Sequence, residues 1–228
     1  MIQTNHLTKT YGKAWGITEL TLHVPENVCF GFIGPNGAGK STTIRTLLGL
    51  LSPTAGSARV LGLDCVRDRE KILAQVGYMP SEAMFYPDMR VSEVIHLSAS
   101  LRRRDCRAEA AALCEALELD TWKRIRELSL GNRKKVSIVC AMQHRPRLYI
   151  LDEPTSGLDP LVQRAFWAEL ENRRKEGAAV FLSSHVLYEV QRYCDRAAIL
   201  REGRLVVEGT TAELDIENKF FDYYEGRA

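Results

Sequence analysis

Gly34-Pro35-Asn36-Gly37-Ala38-Gly39-Lys40-Ser41-Thr42 fits the pattern G-x-x-x-x-G-K-[ST], and the rest of the chain is read outward from it. The apolar run before it, Val28-Cys29-Phe30-Gly31-Phe32-Ile33, predicts a buried strand. After it, Ile44, Leu47, Leu48 and Leu51 recur at helical spacing across Thr42 to Leu51. Strand, glycine loop and helix in that order are the context of a phosphate site. Glycines let the loop curl so that successive N–H groups face inward, and the helix N-terminus adds its positive end. Lys40 is expected to reach the β- and γ-phosphates, and the Ser41 hydroxyl to ligate Mg²⁺. The stretch predicts a nucleotide site.

A chain of 228 residues fits one large α/β domain or a core with an inserted subdomain. Hydrophobic residues at 45% and charged residues at 26% are ordinary for a globular protein. A net charge of +2 argues against a strong non-specific nucleic-acid binder and leaves room only for a local basic patch. The six cysteines, Cys29, Cys65, Cys106, Cys114, Cys140 and Cys194, form no C-x-x-C pair. They are expected to be reduced thiols rather than a disulfide framework or a zinc site. Met1 to His6 has no signal-peptide character, and no apolar run approaches the ~18 residues of a spanning helix. The expectation is a cytosolic chain whose membrane role, if any, needs a partner.

Short strands are predicted at Ile2–Leu7 and Leu20–Val24, with a turn at Tyr11-Gly12-Lys13, and Asn27 suits a positive φ before the central strand. Pro53 to Gly56 closes the first helical region, Ser57–Leu61 resumes as a strand, and a helical patch near Asp68–Ala74 leads to a strand at Val76–Met79. From about Ser81 to Pro146 the pattern turns helical. Val91 to Leu101 holds Val94, Ile95 and Leu97, and Ala108 to Leu119 places Ala110, Leu113, Cys114 and Leu117 on one face. Arg102-Arg103-Arg104 reads as a solvated helix end, since no aromatic residues interleave with it as they would for nucleic acid. Beyond Pro146, strands at Leu148–Leu151 and Ala179–Leu182 alternate with two helices. The first is capped by Asp159-Pro160 and reaches about Lys175; the second, short one holds Leu187, Val190 and Cys194. A hairpin around Glu202-Gly203 and a capping box at Thr210-x-x-Glu213 follow. These patterns predict an α/β fold: a mostly parallel core sheet, an N-terminal antiparallel β subdomain and an inserted helical subdomain. The expected boundaries are a core of about 1–80 and 146–228 with the insertion at about 81–145.

Leu148-Tyr149-Ile150-Leu151-Asp152-Glu153 is an apolar strand that ends in two carboxylates. Asp152 there can hold Mg²⁺ and Glu153 can act as general base on an attacking water, although adjacent carboxylates at a strand end are also common as solvated groups. The ordered series of the 34–42 loop, Leu128-Ser129-Leu130-Gly131-Asn132 ahead of a helix, Asp152-Glu153-Pro154-Thr155-Ser156-Gly157-Leu158-Asp159, and His185 resembles the ATP-binding subunit of an ABC transporter, a P-loop NTPase. The resemblance covers nearly the whole chain.

It implies ATP and Mg²⁺ as cofactors, Mg²⁺-dependent ATP hydrolysis, and roles position by position. Tyr11 matches the aromatic residue that stacks on adenine, and Gly34, Pro35, Asn36, Gly37, Ala38, Gly39, Lys40, Ser41 and Thr42 hold the phosphates. Ser41 and Asp152 hold the metal, and Glu153, His185 and Lys40 serve catalysis. Ser129 and Gly131 match the signature that caps the γ-phosphate of ATP on an opposite subunit, so a head-to-tail pair with a second copy or a paralogous ATPase subunit is implied. Asp159 matches the loop that communicates between the paired sites. Separate transmembrane permease subunits, a place on the inner face of the cell membrane and no nucleic-acid partner are implied too. Leu130 and Asn132 replace the usual second glycine and glutamine of the signature. Ser81 replaces the glutamine expected after Gly77-Tyr78-Met79-Pro80, and its side chain falls short by roughly 2.5 Å of reach. Phe85-Tyr86-Pro87-Asp88-Met89-Arg90-Val91 resembles the corresponding loop of ABC-2-type exporters, including bacitracin-type ones, which implies export. The tail Phe220-Phe221-Asp222-Tyr223-Tyr224 is expected to pack on the core or meet a partner. Two other readings remain: an ABC ATPase that acts apart from membranes, and a membrane-associated cassette that transmits motion without transport.

Overall fold

The structure, a computed structural model, describes residues 1–12 and 14–225. Lys13 of the expected turn and the Tyr224 side chain of the tail lie outside the described part. The chain opens with β1 (Ile2–Tyr11) and β2 (Ala14–Val24), which pair antiparallel with Ile2 opposite Val24. β3 (Cys29–Ile33) follows Asn27, whose φ of 55° is the left-handed turn expected of it. Next come α1 (Lys40–Leu47), β4 (Ala55–Val60), β5 (Leu63–Asp64), α2 (Arg69–Gln75) and β6 (Val76–Met79). Three helices then run in succession, α3 (Val91–Leu101), α4 (Arg107–Ala116) and, after a single 3₁₀ turn at Ile125–Glu127, α5 (Leu130–Met142). The alternation resumes with β7 (Leu148–Asp152), α6 (Pro160–Lys175), β8 (Ala179–Ser184), α7 (Leu187–Tyr193), β9 (Arg196–Arg201) and β10 (Arg204–Thr210). It closes with α8 (Thr211–Leu214) and α9 (Ile216–Glu225).

The strands form two sheets. The smaller is antiparallel in the order β2-β1-β4-β5. The larger has the order β10-β9-β3-β8-β7-β6 and is parallel throughout except for β10. Alternation along the central strands divides the core between the two faces of this sheet. Phe30, Phe32, Phe181, Leu148 and Ile150 face α1 and the smaller sheet, packing with Ile44, Leu47, Ile2 and Leu20. Cys29, Ile33, Val180, Leu182, Tyr149 and Leu151 face the helices, packing with Val136, Val139, Phe166 and Leu170. Because both faces are covered, β3, β7 and β8 are buried at every position, which is why they read as near-continuous apolar runs up to the polar residues that end β7 and β8.

Local signals account for most element ends. Asp159 Oδ1 accepts from the N–H groups of Leu161 (3.1 Å) and Val162 (3.0 Å), with Pro160 in the first helical position of α6. Thr210 and Glu213 form the expected capping box of α8. Other expectations need correction. The first helix stops at Leu47 rather than Leu51, because Gly49 at φ 67° turns the chain and Leu50 N–H bonds back to Arg45 O at 2.9 Å. β1 and β2 extend to the hairpin turn well beyond the short strands expected, and β5 carried no signal of its own. Leu97 is 39% exposed and does not join the buried face of α3. The arginine run is not simply solvated: Arg102 is half-buried and donates to Ser98 O (3.0 Å) and Ser98 Oγ (3.1 Å), closing α3, while Arg104 donates to His144 O (2.9 Å). In α9, Phe220 and Tyr223 pack against the core and Phe221 stays exposed. All six cysteines are free thiols, five of them buried.

Phe181 sits at the centre of the sheet with ring centroids 5.9 Å from Phe30 and 5.3 Å from Phe32. Phe181→Ala is expected to cost about 3–5 kcal/mol of stability, read as a fall in the denaturant midpoint at unchanged slope.

Candidate active site

The parallel register sets the site. Ile33 of β3 lies opposite Ser184 of β8, and Asp152 of β7 opposite Ser183, so the three strands end side by side at one edge. Ligands of open parallel sheets bind at that carboxyl edge. The loop after β3, the pair Asp152-Glu153 and His185 all emerge there.

The loop is shaped by close approach. Gly39 has φ 106°, and a Cβ on it would lie 2.4 Å from the carbonyl oxygen of Gly16. No side chain caps α1 at Gly39 and no acidic residue lies in its first turn, which leaves the first-turn N–H groups open to an anion. Ala38 N–H closes the loop onto Pro35 O at 3.1 Å. Lys40 is 5% exposed, and its ammonium donates to Gly34 O (2.7 Å) and Pro35 O (3.2 Å).

The acidic pair is divided by burial. Asp152 is 1% exposed; its Oδ1 accepts from the Ser183 hydroxyl at 2.5 Å, and its buried Oδ2 has no hydrogen-bond partner. A buried carboxylate oxygen left bare is costly unless a cation meets it, and hard cations such as Mg²⁺ take oxygen ligands, so the donor set fits the metal. Glu153 stands at φ 50°. Its N–H donates to Ser183 O (3.2 Å) and Ser183 Oγ (3.1 Å), and its carbonyl accepts from the Lys134 ammonium at 2.6 Å. Its carboxylate is bracketed, with Oε1 3.5 Å from Lys40 Nζ and Oε2 3.3 Å from Nδ1 of the half-exposed His185. Behind it, Thr155 donates to the buried carboxylate of Glu189 at 2.7 Å, and Gln163 donates to Thr155 O and Leu158 O, which pins the loop to α6 and α7. Burial pushes the Glu189 carboxyl upward, against the opposing pull of Thr155 and His185.

A cavity of about 550 Å³ opens beside them, lined by Asn36, Ser41, Glu153, Ser81, Glu82 and Lys134 among others. Ser81 thus lines the same cavity as Ser41. Tyr11 is 47% exposed, with Lys9 Nζ 5.5 Å from its ring centroid, and its ring edge and the Thr42 methyl both meet Gly16, which places it beside the start of α1. Ser129 is exposed at the N-cap of α5, where its Oγ accepts from Asn132 N–H at 3.3 Å, and Gly131 follows in the first turn. Neither lines the cavity that holds Ser41 and Glu153, although Leu130 between them does, so of the signature only Leu130 meets the loop's cavity within one chain. A larger cavity of about 970 Å³ lies between α3 and α4 and is lined by none of these site residues. The sequence reading missed Ser183, Lys134, Thr155, Gln163 and Glu189. A polar Ser183-Ser184 pair ending an apolar strand was the available signal for the first; Lys134 had none.

A parallel sheet with a strand-loop-helix phosphate site and a carboxylate pair at the next strand but one defines a P-loop NTPase. The family described as ABC transporter matches residues 17–156, and the chain belongs to it. It is 33% identical over 96% of its length to the probable multidrug ABC transporter ATP-binding protein of Escherichia coli K12, of which it spans 38%. It is 34% identical over 93% of its length to Nod factor export ATP-binding protein I of Paraburkholderia xenovorans, spanning 72% of that protein. Likewise it is 34% identical over 91% of its length to the bacitracin transport ATP-binding protein of Bacillus licheniformis, spanning 69%. Among solved structures, an ATP-binding subunit of an ABC transporter superposes with a TM-score of 0.89 at 31% identity, covering 97% of this chain and 93% of that one. A dimeric cassette bound to ADP and Pi shares the fold at a TM-score of 0.83 and 21% identity, over 92% of this chain and 99% of that one.

Since Gly39 combines a positive φ with the contact to Gly16, Gly39→Ala is expected to abolish nucleotide binding, measured with a fluorescent ATP analogue, in protein that keeps its far-ultraviolet circular dichroism.

Proposed function

We propose that this chain is the ATP-hydrolysing, energy-coupling subunit of an exporter, paired with a second copy or a related cassette and docked on separate membrane subunits at the inner face of the membrane. The observation that carries this is the Glu153 carboxylate held between Lys40 and His185, next to the bare Oδ2 of Asp152. The relatives, named for multidrug, Nod factor and bacitracin transport, support export. No helix among the described residues is long and apolar enough to cross a membrane, and the proposal assigns that passage to the partners. In the proposed division the core runs over about 1–80 and 146–228, with the helical insertion between them.

On this reading the N–H groups of the Gly34–Thr42 loop wrap the phosphates of ATP and Tyr11 stacks on the adenine. Lys40 exchanges the Gly34 and Pro35 carbonyls for phosphate oxygens, and His185 turns to the γ-phosphate. The released Glu153 carboxylate takes a proton from water as the water oxygen bonds to the γ-phosphorus. The bond from that phosphorus to the β–γ bridging oxygen breaks, and ADP and phosphate leave. Ser41 and Asp152 would hold Mg²⁺, which when bound neutralises phosphate charge. Ser129 and Gly131, which do not line their own chain's cavity, would serve the nucleotide of the paired cassette. Removing the base typically costs ~10²–10⁴-fold. Glu153→Gln is therefore expected to cut ATP turnover by about that factor while ATP still binds and an ATP-bound dimer persists in light scattering. Near-normal turnover would remove Glu153 from this role.

Ser81 and Glu82 line the cavity beside Ser41. The shorter Ser81 side chain would act on the metal only through water, and Glu82 would shape the contact with the membrane partner. Ser81→Ala is expected to cost one water-mediated hydrogen bond, ~1 kcal/mol or under tenfold in rate. A Mg²⁺ titration of ATPase activity should show Ser41→Ala displaced far more; equal losses would place Ser81 on the metal.

A further inference from the structure

Glu153 is a non-glycine residue in a left-handed conformation, φ 50°, which persists only where its surroundings hold it. Ser183 secures its N–H from β8. Its carbonyl is secured from the other side by Lys134, whose Nζ donates at 2.6 Å. Lys134 is 7% exposed and sits in the second turn of α5, the helix that Ser129 caps. Burial pushes its ammonium pKa down, with the carboxylates of Glu153 and Asp152 acting in the opposite direction. A lysine sunk this far is a poor stabiliser, because desolvation costs what its contacts return. Its place is better explained by what it holds.

We propose that Lys134 is a positioning residue for hydrolysis: it fixes the peptide on which the Glu153 carboxylate is mounted and ties that peptide to the signature helix α5. The inference rests on Glu153 acting as the base. With Lys134 in place, the carboxylate keeps its aim when Lys40 and His185 turn to the phosphates. Without it, the Glu153 carbonyl keeps only the long turn hydrogen bond from Ser156 N–H (3.4 Å), beside the Ser183 anchors on the N–H. Because the tie runs to α5, displacement of the signature helix by a paired cassette is transmitted to Glu153 of the same chain.

Lys134→Met keeps the aliphatic length and removes the donor. In full-length protein, kcat is expected to fall about 10- to 100-fold, the range of a catalytic group misplaced by about 1 Å. KM and the affinity for a fluorescent ATP analogue should stay within about threefold, and Tm is expected to fall modestly, because a buried acceptor loses its donor. In a Glu153→Gln background the same change should remove almost nothing further, since both act through one group. The inference is overturned by an unchanged kcat, by ATP affinity falling in step with the rate, which would make Lys134 a nucleotide contact, or by a full additional loss in the double variant. A crippled Glu153→Gln beside a normal Lys134→Met defeats this inference alone. A normal Glu153→Gln defeats the base assignment and this inference with it.

Discussion

The site depends on the backbone hydrogen bonds that hold β3, β8 and β7 as adjacent parallel strands in one register. That register puts Ile33 beside Ser184 and Ser183 beside Asp152, so the phosphate loop, His185 and the carboxylate pair leave the sheet together. A slip of one residue would turn each strand's side chains to the opposite face. Phe30, Phe32 and Phe181 would then leave the layer under α1, and Asp152 would lose the Ser183 hydroxyl. Packing on both faces therefore enforces the alignment that the chemistry uses.

Ser183 shows how tightly backbone and chemistry are joined. Its hydroxyl donates to Asp152 Oδ1 and accepts from Glu153 N–H, so one side chain of β8 holds both the Asp152 carboxylate and the Glu153 backbone. The division of labour between the two acids follows from where this leaves them. Asp152 is sealed at 1% exposure with one oxygen bare, suited to a cation. Glu153 is turned outward by its left-handed backbone to meet Lys40 and His185. Buried charge and a strained peptide both oppose folding, and the surrounding core supplies the stability that carries them. Membership in the ABC transporter family fits the same arrangement: a nucleotide edge assembled within one chain, with Ser129 exposed at the start of α5.

How much of this was legible in the sequence varies with the range of the interaction. The phosphate loop, its strand and its helix were readable because glycine spacing, an apolar run and helical periodicity are written within about twenty residues. The Asp159-Pro160 cap, the Thr210 capping box and the positive φ at Asn27 were readable for the same reason. Gly49 as a helix stop was legible and overlooked, since a C-terminal glycine is itself a local signal.

The sequence by itself therefore determined the elements, their caps and the residue types that meet phosphate. The tertiary structure alone decided the sheet order, the bracketing of Glu153, the bond from Lys134 to its carbonyl nineteen residues away, and the Ser183 bridge across thirty-one. It also decided that Arg102 closes the end of α3 and Arg104 ties that end to His144, while Leu97 stays partly in water. The physical reason is that caps, turns and periodicity depend on neighbours along the chain. Which strand lies beside which, and which buried group finds which partner, is fixed only when the two faces of the sheet are packed at once.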